Sequence, residues 1–261
     1  MTAVDTTSAP SWTTPGERDT TPPEMDPVAF AVVESYTSLI ALGAMTSPRS
    51  LQLSIGSSEI GFDCDRRIAY KLAGVPAVHR SLDPMRALIG IGLHAALEAL
   101  FYRLDAGSGR FLVEQHVEYR QVPGQADLYD RFTGLVIDWK SSTVSRIRQY
   151  RREGLPRHYV VQIQMYAAAL AAMGEKPKST AVIMLPIDGE LNKAWAWVAP
   201  VDQSIADAAV DRLNVLRERG RASAAYVPAT PSRLCNYCDH FRPGWTDLST
   251  GCPGPEKGNE S

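Results

Sequence analysis

The sequence lacks a strong excess of charge and has few cysteines. Its 27 lysines and arginines against 29 acidic residues give a formal net charge of −2. This excludes attraction to nucleic acid or membranes as a property of the whole molecule, although not of a local patch. Four cysteines in 261 residues are too few for a disulfide-built scaffold. Every apolar stretch is broken before the roughly 18–20 residues that a bilayer requires, so we expect no membrane-spanning helix.

Several functional motifs are also missing. The N-terminus lacks the basic and apolar regions of a signal peptide, which predicts a reducing, cytoplasmic setting, as in a bacterial or phage-infected cell. A Gly-rich dinucleotide-binding turn and a Walker A motif are absent, which argues against an oxidoreductase and places any unwinding motor on a separate chain. The composition, 44% apolar and 21% charged, is that of a globular protein and excludes a wholly disordered, collagenous or coiled-coil chain.

Composition divides the chain into four predicted segments. Residues 1–26 contain seven threonines and four prolines and are predicted to form a disordered tail, because they have too little apolar surface to offset chain entropy. Residues 27–56 are expected to form an N-terminal helical extension. Residues 57–220 are the expected core domain, and 221–261 a C-terminal segment and tail with three of the cysteines.

Apolar periodicity and turn residues predict an α/β fold. The predicted order is α-β-β-β-α-β, a mixed sheet flanked by helices, and the second and third strands should form a hairpin around residues 130–133. The helices are expected over 27–45, 57–72, from Asp83-Pro84 to about Leu104, 157–173 and 202–219, and the strands over 111–122, 125–129, 134–140, 180–185 and 193–198.

The third predicted strand carries a carboxylate and an ammonium group inside an apolar run. Asp138 and Lys140 lie two residues apart and therefore share one face of a strand. Asp127 precedes Asp138 across the predicted hairpin, and two converging carboxylates suit magnesium or manganese. A surface hairpin with a solvated ion pair remains an equal alternative on these residues alone.

Three further residues complete an ordered set. His94 lies on an apolar helical face, where a lone histidine is more often a core residue than a ligand. Gln162 and Tyr166 lie four apart and share one helical face, which means little alone. Their order along the chain, with Gly124-x-x-Asp127 and Asp138-x-Lys140 between them, is much more specific than any single motif.

This ordered set resembles the PD-(D/E)XK nuclease superfamily, a restriction-endonuclease-like fold, over about residues 57–253. In particular, it resembles the RecB-like exonuclease branch, which includes the CRISPR-associated RecB-like exonucleases with an iron-sulfur cluster and their phage relatives. Asp127 is preceded by Ala126 rather than proline, a substitution common in this branch.

The resemblance implies the role of each site residue. His94, Asp127, Asp138 and the backbone carbonyl of Trp139 would hold Mg²⁺ or Mn²⁺. Lys140 would orient or activate the attacking water and stabilise the charge that develops on phosphate. In addition, Gln162 and Tyr166 would position the active site and DNA. A divalent metal held by carboxylates supplies what phosphodiester hydrolysis needs, which is a nucleophilic hydroxide and charge neutralisation.

The four cysteines occur where this branch has its cluster ligands. Cys64 precedes the core, and Cys235, Cys238 and Cys252 follow it. Four thiolates can ligate a 4Fe-4S cluster or a zinc ion, and spacing alone does not separate the two. The resemblance favours iron, although the gap from Cys238 to Cys252 is wider than usual in the family.

A run of arginines follows the predicted catalytic strand. Arg146, Arg148, Arg151 and Arg152 are candidate contacts to the DNA backbone, together with Tyr166 at the site. The alternative for such a run is a solvated face.

The predicted function is metal-dependent exonucleolytic cleavage of DNA single strands or duplex ends. It would serve recombination, repair, phage replication or CRISPR adaptation. A separate helicase, recombinase or CRISPR integrase would be the protein partner, an oligomer is compatible with the sequence, and no membrane is involved. The alternative is a non-catalytic iron-sulfur or zinc protein that binds DNA or a partner.

Overall fold

A computed structural model describes residues 27–45, 54–77, 84–219, 221–230 and 232–254. The predicted disordered tail, residues 1–26, lies outside the described residues. The chain divides into two units, Met1–Ile40 and Ala41–Ser261. All the site residues predicted from the sequence belong to the second unit.

A five-stranded mixed sheet forms the centre of the second unit. Its strands lie in chain order: β1 (Phe111–Tyr119), β2 (Val122–Asp130), β3 (Leu135–Ser142), β4 (Ser179–Pro186) and β5 (Trp195–Pro200). The pairs β1–β2, β2–β3 and β4–β5 are antiparallel, whereas β3 and β4 are parallel. The predicted α/β fold with a mixed sheet is therefore confirmed.

The described residues contain six α-helices. They are α1 (Pro27–Met45), α2 (Asp65–Leu72), α3 (Met85–Asp105), α4 (Val144–Glu153), α5 (Arg157–Ala172) and α6 (Gln203–Glu218). Helices α4 and α5 together make the crossover between the parallel strands β3 and β4, as a parallel connection requires.

Two groups of apolar side chains cover the sheet. The larger core includes Val136 of β3 and the inner faces of α5 and α6. The smaller core contains Ile137 and Trp139 of β3, against which Leu97 and Phe101 of α3 pack. Alternate residues of β3 thus serve different cores, as the strand period requires.

Three sequence predictions need correction. The helix expected over 57–72 begins only at Asp65, because the preceding chain packs closely on α5: a Cβ atom at Gly61 would lie 2.7 Å from the Cα atom of His158. The β1–β2 turn lies at Arg120 and Gln121, with φ of 47° and 66°, whereas we expected it near Gly124. The arginine run forms helix α4, which periodicity missed because only Ile147 is buried in it.

Helix α3 also differs from expectation. Its best 18-residue window has a mean hydropathy of 1.4, and by length and composition alone it passes the criterion for a membrane span. The expectation that every apolar stretch is too short was wrong here, because charged residues such as Glu98 interrupt the run without lowering its mean hydropathy enough. The helix instead packs on the sheet through Leu97 and Phe101.

Candidate active site and cysteine-lined cavity

The candidate active site lies where the regular alternation of side chains between the two cores is interrupted in β1 and β2. Val113 packs in the smaller core, but Val117 packs in the larger one, although regular alternation would place both on the same face. On β2, Leu128 and Ala126 are divided between the cores in the same way. The interruption in both strands therefore falls at Glu114 and Asp127, and it leaves two carboxylates between the cores.

The interruption is visible in the backbone of Glu114. Its neighbours pair regularly with β2, Val113 with Leu128 and Gln115 with Ala126, but Glu114 itself has a φ of 47°. This left-handed conformation costs a non-glycine residue roughly 1–2 kcal/mol. Such strain is typical of functional sites. The sequence alone does not single out Glu114, because its role depends on a break in strand alternation that no local pattern reveals.

Glu114, Asp127 and His94 form a group of potential metal ligands. One ligand atom from each lies within 4.8 Å of the others. The Nδ1 atom of His94 is 3.5 Å from Oε1 of Glu114 and 3.6 Å from Oδ1 of Asp127. The structure thus brings the predicted pair His94 and Asp127 together and adds Glu114 to it.

The other ring nitrogen of His94 faces the backbone of β3. Nε2 lies 3.1 Å from the carbonyl oxygen of Trp139. In the tautomer that carries its proton on Nε2, this N–H donates to the carbonyl and leaves the Nδ1 lone pair facing the two carboxylates. A backbone carbonyl that orients an imidazole in this way is common around metal-binding histidines.

Asp127 takes its position from the end of the β2–β3 ladder. Pairing extends as far as Leu128 with Ile137, and the next backbone donor on β3 is satisfied by a side chain instead. The Trp139 N–H donates to Oδ2 of Asp127 at 2.7 Å. One carboxylate oxygen of Asp127 is therefore fixed by a hydrogen bond, while the other oxygen faces His94.

Asp138 and Lys140 form an ion pair beside this group. Asp138 is fully buried, and the Nζ atom of Lys140 lies 2.9 Å from Oδ1 and 2.7 Å from Oδ2. Only the first contact has hydrogen-bond geometry, so Oδ2 accepts no hydrogen bond from the described residues. A buried carboxylate oxygen without a donor is a suitable ligand for a cation.

Burial and the nearby Asp138 together raise the pKa of Asp127 to about 7, against the opposing effects of Lys140, His94 and the Trp139 N–H. The hydrogen bond to Glu114 raises the pKa of His94 despite its burial. Both effects reflect an excess of negative charge in a confined space. A divalent cation would offset this excess.

Gln162 and Tyr166 lie in the core behind β2. The Gln162 side chain donates to the Tyr166 hydroxyl at 2.7 Å, and a Cβ atom on Gly124 would lie 2.8 Å from the Tyr166 ring. Tyr166 is only 4% exposed. Direct contact with DNA would require its side chain to leave the core, so this placement supports a positioning role only.

The arginines of α4 project away from the core. Arg146, Arg148, Arg151 and Arg152 are all exposed, whereas Ile147 holds the helix against the larger core. Because α4 begins two residues after β3 ends, these guanidinium groups extend the positive charge of Lys140 along the surface.

The four cysteines line one cavity. Cys64, at the N-terminus of α2, faces Cys235, Cys238 and Cys252 across it, and all four are free thiols. The structure therefore brings together residues from the two ends of the second unit. Burial raises the pKa of the Cys238 thiol, and the Arg67 charge partly offsets this.

Hydrogen bonds hold the two sides of this cavity together. From α2, Arg66 donates to the Val227 carbonyl at 2.8 Å, and its guanidinium lies 3.8 Å from the Cys252 sulfur. The Tyr70 hydroxyl lies 2.6 Å and 3.1 Å from the carbonyl oxygens of Leu248 and Gly251. The cavity is thus part of a packed interface between α2 and the C-terminal segment.

Four thiolates at one cavity can ligate either a zinc ion or a 4Fe-4S cluster, so the arrangement of the thiols leaves both open.

The fold and the site together are of nuclease type: a mixed sheet places carboxylates, an imidazole and a paired lysine at one point. The sequence model of the PD-(D/E)XK nuclease superfamily matches residues 92–242. This is more than half of the chain, which therefore belongs to that superfamily. The match includes every predicted active-site residue but neither Cys64 nor Cys252. No curated protein matches the sequence.

Solved structures with low sequence identity resemble the fold. An alkaline exonuclease from Laribacter hongkongensis is 11% identical, with a TM-score of 0.45 over 67% of this chain and 91% of that one. A phage related exonuclease from Haemophilus somnus 129PT is 14% identical, with a TM-score of 0.39 over 59% and 78%. A protein named SSO0001 is 17% identical, with a TM-score of 0.43 over 79% and 92%. Such similarities are too weak to transfer residue roles.

The pKa of Asp127 predicts that divalent-metal binding depends on pH. Below pH 7 protons compete with the cation for this carboxylate and for the His94 imidazole, whose pKa is also raised, so the affinity should fall at least about tenfold per pH unit. Titration of Mn²⁺ monitored by electron paramagnetic resonance at pH 6, 7 and 8 measures this. The Asp127→Asn variant should bind Mn²⁺ weakly at every pH. Equal affinity at pH 6 and pH 8 in the unmodified protein would contradict the prediction.

Proposed function

We propose that the protein is a metal-dependent DNA exonuclease of the RecB-like branch, which hydrolyses phosphodiester bonds in single strands or at DNA ends. The observation that carries this proposal is the convergence of His94, Glu114 and Asp127 within 4.8 Å, next to the Asp138–Lys140 pair. Stability alone does not require such a group, because buried like charges oppose folding.

The ligand types fit Mg²⁺ or Mn²⁺. Carboxylate oxygens from Glu114, Asp127 and Asp138 are hard ligands, and one neutral imidazole is compatible with Mn²⁺. The Asp138 oxygen that lacks a hydrogen bond is a further possible ligand beside the Lys140 ammonium group. The Trp139 carbonyl, predicted as a backbone ligand, lies instead against Nε2 of His94, where it orients the ring. When bound, the cation supplies a hydroxide near neutral pH and neutralises charge on the phosphoryl oxygens.

The side chains have separate roles in this mechanism. Lys140, whose side chain is 19% exposed, presents its ammonium group from the buried Asp138 carboxylate toward solvent, where it stabilises negative charge on the phosphate. His94 accepts no proton while its Nδ1 atom serves as a ligand. Gln162 and Tyr166 support the backbone of β2 at Gly124 and so keep Asp127 in place.

We further propose that α4 follows the DNA backbone. Its exposed arginines continue from the end of β3, so a strand cleaved beside Lys140 passes along them. This contact depends on phosphate charge, not on base sequence. The setting would be cytoplasmic, and a separate helicase, recombinase or CRISPR integrase would supply the substrate in recombination, repair, phage replication or CRISPR adaptation.

We also propose a 4Fe-4S cluster bound by Cys64, Cys235, Cys238 and Cys252. The common cavity supports a shared metal centre, and the resemblance of the cysteine positions to the RecB-like branch favours iron over zinc. Phosphodiester hydrolysis transfers no electrons, so the cluster would act as a structural link between α2 and the C-terminal segment.

Cleavage of end-labelled DNA tests the proposed activity. With Mg²⁺ or Mn²⁺, linear single- or double-stranded DNA should be degraded from its ends and circular DNA should not. Lys140→Ala should lower kcat at least about 100-fold with a smaller effect on DNA binding, because it removes charge stabilisation of the transition state. The exposed Lys193→Ala is the matched control. Full activity of Lys140→Ala, or activity in EDTA, would refute the assignment, and DNA binding without cleavage would favour a non-catalytic protein.

The salt dependence of DNA binding tests the role of α4. Replacement of Arg148, Arg151 and Arg152 by alanine should weaken binding to every sequence and reduce the slope of log K against log salt by about 0.7–0.9 per lost phosphate contact. Arg217→Ala, on the exposed side of α6, should leave the slope unchanged. Fluorescence anisotropy over a salt series measures both. An unchanged slope in the triple variant would make α4 an ordinary solvated face.

Absorption and thermal unfolding test the cluster. Anaerobically purified protein should absorb near ~400 nm, and Cys64→Ala and Cys235→Ala should lose this absorption and unfold at a lower temperature, because the link between distant parts of the chain is lost. Asp138→Asn should keep both properties. A colourless protein that contains stoichiometric zinc would show that the cysteines bind zinc and not an iron-sulfur cluster. A stable, active Cys235→Ala variant would refute the structural link.

A further inference from the structure

A row of aromatic rings runs from the cysteine-lined cavity toward the candidate active site. Phe62 lines the cavity together with Cys64. Its ring stacks on the His158 imidazole, with centroids 4.9 Å apart and planes inclined by 24°. Because His158 belongs to α5, this contact joins the cavity wall to the crossover helix.

The row continues to the catalytic lysine proposed above. The His158 ring lies 4.2 Å from that of Tyr159, and the Nζ atom of Lys140 lies 5.2 Å from the centroid of Tyr159. An ammonium group at this distance from an aromatic face is attracted to it. Lys140 is therefore held on one side by Asp138 and on another by Tyr159.

Close packing makes this row stiff. A Cβ atom on Gly61 would lie 2.7 Å from the Cα atom and 2.9 Å from the carbonyl oxygen of His158, so only glycine permits this approach. Phe62 therefore cannot shift without moving the start of α5 or losing its stacking contact, since close-packed interiors transmit displacement.

His158 is neutral in this environment. Burial and the charges of Lys140 and Arg67 together lower its pKa to about 4, against the opposing effect of Asp63. The Arg67 guanidinium lies 3.8 Å from the centroid of Phe62. A neutral ring thus separates two cations and is free of the repulsion that a charged imidazole would add.

We propose that Phe62, His158 and Tyr159 are positioning residues that place the Lys140 ammonium group according to how the cysteine-lined cavity is packed. None of the three touches the reacting phosphate. When Phe62 is held against His158, Tyr159 confines the ammonium group beside Asp138. When the cavity wall loosens, the ammonium group gains freedom and the site loses its fixed positive charge. The catalytic consequence rests on the proposed function, but the placement of Lys140 does not.

Acylation of Lys140 tests the placement without any cleavage reaction. The full-length protein, without DNA or added divalent metal, is treated with the acetyl ester of N-hydroxysuccinimide, and Lys140 modification is measured by mass spectrometry against the exposed Lys193. Tyr159→Leu should raise the rate about threefold, because the aromatic face is lost. Tyr159→Phe keeps the face and should match the unmodified protein. Equal rates in Tyr159→Leu and Tyr159→Phe would overturn the role of Tyr159.

A double-mutant comparison tests the connection to the cavity. Phe62→Leu should raise Lys140 acylation about threefold when Tyr159 is present and leave it unchanged in Tyr159→Leu. Absorption near ~400 nm and circular dichroism on the same samples verify that cluster and fold persist. The Cys235→Ala variant should give the same acylation pattern. If it fails to fold, the comparison of Phe62→Leu with and without Tyr159→Leu alone tests the connection. An equal effect of Phe62→Leu in both backgrounds would overturn the connection.

Activity separates this inference from the proposed function. Phe62→Leu and Tyr159→Leu should lower kcat for DNA cleavage and leave KM unchanged, and Tyr159→Phe should restore kcat. Protein without nuclease activity that still shows the acylation pattern would refute the proposed function alone. Active protein that lacks the acylation pattern would refute only the positioning role of the aromatic row.

Discussion

The site depends on one electrostatic constraint: Glu114, Asp127 and Asp138 share a confined space with little water. Like charges at such distances repel strongly when they are buried, and burial together with the nearby Asp138 raises the pKa of Asp127. Lys140 and His94 offset part of it, and the Trp139 N–H fixes one Asp127 oxygen. The remaining excess of negative charge explains why a cation is a better partner for this site than further protein groups would be.

Part of this arrangement was predictable from the sequence. The α/β fold followed from periodicity, and Asp138 and Lys140 were recognisable because charged residues interrupt an apolar strand. Glu114 was not, since its position depends on a left-handed backbone at residue 114 and a matching interruption in β2. Helix α4 was also missed, because a single buried residue, Ile147, gives no period. A charged residue within an apolar strand can be recognised from the sequence. An irregular backbone that is maintained only by tertiary packing cannot.

Helix α3 illustrates how one element combines two demands. Leu97 and Phe101 attach it to the sheet by ordinary apolar contacts, and His94 on the same helix reaches the carboxylates. Burial does not account for its apolar character, because none of its residues is fully buried and several of its large apolar side chains are exposed. The aromatic row serves the opposite side of β3 in a comparable way, since it fixes Lys140 through surfaces that carry no chemistry themselves.

The peptide group of Trp139 is engaged on both sides, with its N–H bound to Asp127 and its carbonyl oxygen facing His94. At this position the main chain makes the polar contacts of the site, and the indole only packs against Phe101. Evolution can consequently vary the side chain at 139 among large apolar residues without altering the site. Conversely, an inserted or deleted residue in β3 before Trp139 would move this peptide group away from Asp127 and His94 even if every functional side chain were retained.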